Sequence, residues 1–136
     1  MVLLLRKIIL VTVLSRVVNC GIQRITVTGR LLCHGKPIGF LDIKLLEEDL
    51  LYNDVIDDGK TDMNGHFKLS GRDEEFSAID PFIEFKYKCS TDKVISTNDI
   101  KQFFVPSSVF RYLGYVRQFE FNFGDIDLEK IQKKFV

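Results

Sequence analysis

Apolar and polar residues alternate along most of this chain with a period of two, the spacing of a strand that buries one face. From Gln23, the residues Ile25, Val27 and Leu31 fall on one side, and Arg24, Thr26, Thr28 and Arg30 on the other. Gly29 takes an inward slot, as at a bend or bulge. The turn His34-Gly35-Lys36-Pro37 ends this run, because Pro37 fixes its own φ and Gly35 supplies freedom for the reversal. A second strand is expected within 39–48, with Leu41, Ile43 and Leu45 opposite Asp42 and Lys44. Residues 47–58 read as an acidic loop around a short apolar patch, Leu50-Leu51-Tyr52. Phe67 and Leu69 open a short strand that Gly71 stops.

Beyond it, Ile83, Phe85 and Tyr87 alternate with Glu84, Lys86 and Lys88. Residues 90–99 read as a polar connector, and 100–106 as a strand closed by Pro106. Phe119, Phe121 and Phe123 alternate with Gln118, Glu120 and Asn122, and this stripe is expected in the core. The tail from Asp125 ends as a strand or a short helical turn. About seven short strands separated by turn signals, with no stretch of convincing helical period, predict an all-β fold, an antiparallel sandwich or barrel.

The length of 136 residues allows one domain with its own core. Composition is that of a globular chain, with 46% hydrophobic and 28% charged residues. The first 20 residues stand apart. Arg6 and Lys7 precede the apolar run from Ile8 to Leu14, and Asn19 and Cys20 lead into Gly21. Basic, then apolar, then small is the order of a secretory signal peptide. The division expected is therefore 1–20 as signal and 21–136 as the mature domain, in the extracellular space. An uncleaved N-terminal anchor or a buried strand is the rival reading of the first segment. Without residues 1–20 the 19 basic residues become 16 against 19 acidic ones, a net charge of −3. Nothing in that balance would hold a polyphosphate, so nucleic acid is not an expected partner.

If cleavage follows Cys20, Cys33 and Cys89 remain, and an even pair in an exported chain is a candidate disulfide. It would close a loop of about 55 residues, worth on the order of 4 kcal/mol. If cleavage falls earlier, Cys20–Cys33 competes.

Three chemical readings are weighed. The stretch 59–71 contains Asp62, Asn64 and Gly65, a fragment of a Ca²⁺ loop, but Lys60 stands where the first ligand belongs. Asn64-Gly65 reads better as a hairpin turn, since both residues tolerate φ > 0, with Asp62 capping it through its side chain. Cys33, His34, His66 and Cys89 lack the paired spacing of a zinc site. No nucleophile elbow, metalloprotease helix motif or phosphate-cradling loop occurs, so no catalytic residues, metal ligands or cofactor are expected. What remains is a contact surface. Leu50, Leu51 and Tyr52 form one candidate. Phe110, Arg111, Tyr112, Tyr115 and Arg117 form another, from the residue types enriched at interface hot spots.

One combination of motifs is familiar. Gly29, Leu31, Cys33, Gly35 and Pro37 come first, then Lys44-Leu45-Leu46. The block from Asp57 through Gly71 follows, containing Thr61, Asp62, Gly65, Phe67 and Leu69. Ile79-Asp80-Pro81 then precedes a strand ending in Cys89. Over roughly residues 23–128 this order resembles the nematode transthyretin-like family. The resemblance implies a secreted, transthyretin-like β-sandwich without a catalytic residue set. It implies a role in recognition, bridging or signalling outside the cell, with an extracellular protein, a cell-surface receptor or a membrane surface as partner. A small-molecule carrier or small hydrolase on the same fold is the alternative. Family members usually carry a further cysteine after the position of Cys89, whereas residues 90–136 contain none. Two free thiols are therefore the alternative to the Cys33–Cys89 bridge. Neither pattern nor resemblance fixes an oligomeric state.

Overall fold

The computed structural model describes residues 23–73, 80–90, 99–110 and 117–132; the expected signal segment lies outside them. The alternation from Gln23 produces β1 (Gln23–Cys33), an 11-residue strand that buries Ile25, Val27 and Leu31. Its partners are β2 (Lys36–Pro37), β5 (His66–Asp73) and β8 (Arg117–Asp127). β8 holds one edge of β1 from Gln23 to Leu32, so β5 and β2 succeed one another along the other edge. The second sheet has the order β4 (Asp54–Lys60), β3 (Asp42–Glu47), β6 (Pro81–Lys86), β7 (Ile100–Phe104). The two sheets stack as a β-sandwich. Their inner faces supply one core, including Ile25, Val27, Leu31, Ile43, Leu45, Phe67, Leu69, Ile83 and Phe85. Every pairing is antiparallel except that of β1 with β8, which is parallel. A single-turn 3-10 helix (Ser107–Phe110) precedes β8, and a short helix α1 (Leu128–Gln132) follows it. Over 125–132 the tail is thus the end of a strand and then a helical turn.

Several expectations change at the level of single elements. The acidic stretch 47–58 is not all loop, because Asp54–Lys60 is strand β4 at the edge of the second sheet. Gly71 does not stop a strand. It lies inside β5, where a Cβ would stand 2.1 Å from Ile56 Cγ2 on β4. Only glycine admits that approach between the two sheets. Asp57 joins the same edges, its Oδ2 accepting the Ser70 backbone N–H at 2.8 Å.

Gly29 sits at a register shift between β1 and β8, where Phe123 and Gly124 oppose one residue. A Cβ on Gly29 would come within 2.8 Å of the Phe67 ring, so its bareness makes room for that side chain. The phenylalanine stripe is core only in part, since Phe119, Phe121 and Phe123 are half-buried and pack against the core rather than within it.

Cys33 and Cys89 are joined by a disulfide, with Cα atoms 5.6 Å apart. It ties the end of β1 in one sheet to the segment after β6 in the other, and Cys89 is buried. The bond closes a long loop in the unfolded chain, so replacing both cysteines by alanine is expected to cost about 2–5 kcal/mol. Chemical denaturation of the double variant checks this, and wild-type protein should show neither thiol reacting with a maleimide under native conditions.

Candidate functional site

The strand directions sort the connections into two ends. At one end lie the β1–β2 and β2–β3 connections, the β4–β5 connection and the disulfide. His34 and Gly35 have φ of +52° and +73° between the paired Cys33 and Lys36. Two consecutive positive φ values make the two-residue hairpin turn of type I′. That geometry was expected at Asn64-Gly65, where only Gly65 has positive φ, at +80°. The turn there runs from Asp62 to Gly65, with the Gly65 N–H donating to the Asp62 carbonyl at 3.0 Å. Asp62 Oδ1 accepts the N–H groups of Asn64 at 2.8 Å and His66 at 2.9 Å, as its capping role predicts. The turn joins β4 to β5, which belong to different sheets, so it carries the chain across the sandwich.

Thr61 anchors this end. It is buried, its hydroxyl donates to the Ile38 carbonyl at 2.7 Å, and it accepts the Leu41 N–H at 2.9 Å. Its backbone pairs with Leu41 and Phe40. A Cβ on Gly65 would lie 2.5 Å from the Leu31 carbonyl oxygen, so this turn also fits only glycine. Cys33, His34 and Cys89 place ligand atoms within 4.8 Å of one another. The two sulfurs are bonded to each other, and His34 Nδ1 lies 2.9 Å from Glu129 Oε2. The cluster is a crosslink rather than a set of free thiolates. His66 is exposed at the start of β5.

The other end carries the first candidate patch. Leu50, Leu51 and Tyr52, at the tip of the β3–β4 connection, are 100%, 87% and 70% exposed. The connection is held at its base, where Glu48 N–H donates to the Asp80 carbonyl. Pro81 is buried beside it, and its carbonyl accepts the Val105 N–H at 2.9 Å. Of the second patch, Phe110 lies at this end. Phe110 is half-buried, edge-on to Phe119 at 4.8 Å, so it packs over the sandwich. Arg111, Tyr112 and Tyr115 lie outside the described residues, and Arg117 opens β8.

A third feature escaped the sequence reading. A cavity of about 660 Å³ lies between the edges of β7 and β8 that pair with no other described strand, walled by Phe103, Phe121 and Phe123 and by Leu128 and Ile131 of α1. Alternation identified the strands but not the gap between them. The half-buried stripe on β8 was the available signal.

The motif order and the fold converge with the comparisons. The family model described as "TTR-52: Transthyretin-like family" matches residues 28–106. The chain belongs to the transthyretin-like family. Transthyretin-like protein 46 of Caenorhabditis elegans is 33% identical over 129 residues, 93% of this chain and 72% of that protein. Transthyretin-like protein 5 of the same organism is 36% identical over 70 residues, 50% of each chain. Against that relative the chain matches only half the length. A solved 9R-lipoxygenase from Cyanothece PCC8801 matches 78% of this chain and 16% of its own at 19% identity, with a TM-score of 0.49, too low to carry an inference.

Within the transthyretin-like fold the motif residues of this chain have structural tasks. Gly35 and Gly65 supply turn geometry, Pro37 pairs with Leu32, Phe67 fills the core, and Thr61 and Asp62 hold the crossing between the sheets. Thr61→Val keeps the shape and strands a buried carbonyl and N–H. It should destabilise the domain by about 1–3 kcal/mol, and Thr61→Ser should recover most of that loss in urea denaturation.

Proposed function

We propose that this transthyretin-like protein is secreted and acts without catalysis, as a recognition module whose contact surface is the β3–β4 loop. The observation that carries the reading is three consecutive apolar side chains exposed at a loop tip, on a scaffold whose other described leucines are buried or, at Leu41, half-buried. Exposed apolar clusters mark contact sites. Around them stand exposed Glu48, Asp49 and Asp54. An anionic membrane would be repelled by that rim, so the favoured partner is an extracellular protein or receptor with an apolar socket and a basic border.

The basic-apolar-small order of residues 1–20 supports secretion. A disulfide between Cys33 and Cys89 suits an oxidising compartment. The absence of a catalytic motif from the sequence supports a non-enzymatic role.

Full-length protein expressed in animal cells should appear in the medium beginning near Gly21. Retention in the cytosol with Met1 intact overturns secretion. Labelled protein should bind cell surfaces, more weakly at high salt. Leu50→Ser/Leu51→Ser/Tyr52→Ser should abolish this binding while leaving the melting temperature in place. Equal binding by the triple variant overturns the contact surface.

A further inference from the structure

The sandwich is asymmetric about its long axis. On the β4–β5 side the sheets touch through Gly71 and Ile56. On the β7–β8 side they part around the 660 Å³ cavity, a volume within the range of small-molecule sites, about 300–1,000 Å³. A second cavity of about 390 Å³ shares Phe103, Phe123 and Ile131 with it and extends it past Lys130. The space is therefore elongated. Ile100 and Phe104, at the two ends of β7, are 44% and 48% exposed and line the same groove.

One charged side chain, Lys101, lines the larger cavity, whereas Asp125, Asp127 and Lys130 line the smaller one. Lys101 pairs with Phe85 and Phe103 with Ile83, and Phe85 and Ile83 face the core. Directly opposed residues share a face, so Lys101 points inward beside Phe103. It is half-buried and makes no ion pair with the described residues. Gln102 points the other way and bonds Glu84 at 2.7 Å. A lysine on the inner face of an edge strand opposes pairing with a further strand. That argues against a second chain as the occupant and for a small molecule with a negative group.

We propose that the groove between β7 and β8 binds a single-chain anionic amphiphile, its hydrocarbon between Phe103 and Phe121/Phe123 and its head group at Lys101. This site is separate from the exposed loop and adds a ligand to the recognition reading without depending on it.

The test uses the purified full chain and three probes of equal chain length below their micelle concentrations: dodecanoate, 1-dodecanol and dodecyltrimethylammonium. Calorimetric titration should show saturable binding, tightest for dodecanoate and weakest for the cation. Lys101→Gln should weaken dodecanoate by about tenfold and leave 1-dodecanol unchanged. Ile131→Asp, on the short helix, should weaken both. No saturable binding of any probe overturns the site. Equal binding of all three, or an unaltered dodecanoate affinity in Lys101→Gln, overturns the charge assignment. Lys101→Gln should keep wild-type cell-surface binding, so this test and that of the loop fail independently.

Discussion

The contact between Gly71 and Ile56 sets the shape of the molecule. Two twisted sheets cannot meet along both long sides without filling the space between them with small side chains. Here β4 and β5 meet because Gly71 has no side chain, and Gly59 leaves room for Leu69 on the same side. Asp57 then bridges the two edges by accepting the Ser70 N–H. The opposite side is built from phenylalanines, which hold the sheets apart. Phe85 and Phe103 stack within the second sheet at 5.8 Å, and Phe121 and Phe123 meet edge-on at 4.8 Å in the first. A closed side and a propped side are two results of one choice of residue size.

The two ends of the sandwich differ in how far they are tied down. At one end Thr61, Asp62, Gly65 and the Cys33–Cys89 bond tie three connections together. Several of the motif residues, Thr61, Asp62 and Gly65 among them, share one hydrogen-bonded knot at that end. The other end carries Leu50, Leu51 and Tyr52. A rigid knot at the far end frees the near loop from any duty in packing.

Much of this was legible in the sequence, for a physical reason. β1, β3, β6 and β8 alternate over most of their length, so side-chain character follows strand geometry, although Leu46 and Phe82 are buried on the opposite face from Leu45 and Ile83. β4 was not legible because it is an edge strand with little burial, and its Asp57, Asp58 and Gly59 are poor strand formers in isolation. Its place is set by pairing with β3 and by contact with Gly71, neither of which leaves a local trace. Gly71 was misread for the same cause: a glycine required by a neighbour in space looks like a glycine that ends a strand. At Asn64-Gly65 the turn residues were recognised but not the geometry, since the chain crosses between sheets there instead of returning along its own. Parity left two pairings for Cys33, and only the fold brings Cys89 beside it. The exposure of the Leu50–Tyr52 patch could be asked of the sequence but not answered by it. The groove beside Lys101 was invisible there, because it arises between two strands separated by 12 residues of chain, 105–116.

The parallel pairing of β1 with β8 has a consequence for biosynthesis. The first described strand receives its second neighbour only from the last, so one edge of β1 stands open until residues 117–127 have left the ribosome. β5 and β2 cover the other edge much sooner. Cys89 also emerges before β8, which allows the covalent tie to form while the sheet is still incomplete. Until β8 emerges, the strand position beside Ile25 and Val27 is vacant. An unpaired apolar edge is where polypeptides associate wrongly, so the final strand acts as the chain's own protection against aggregation.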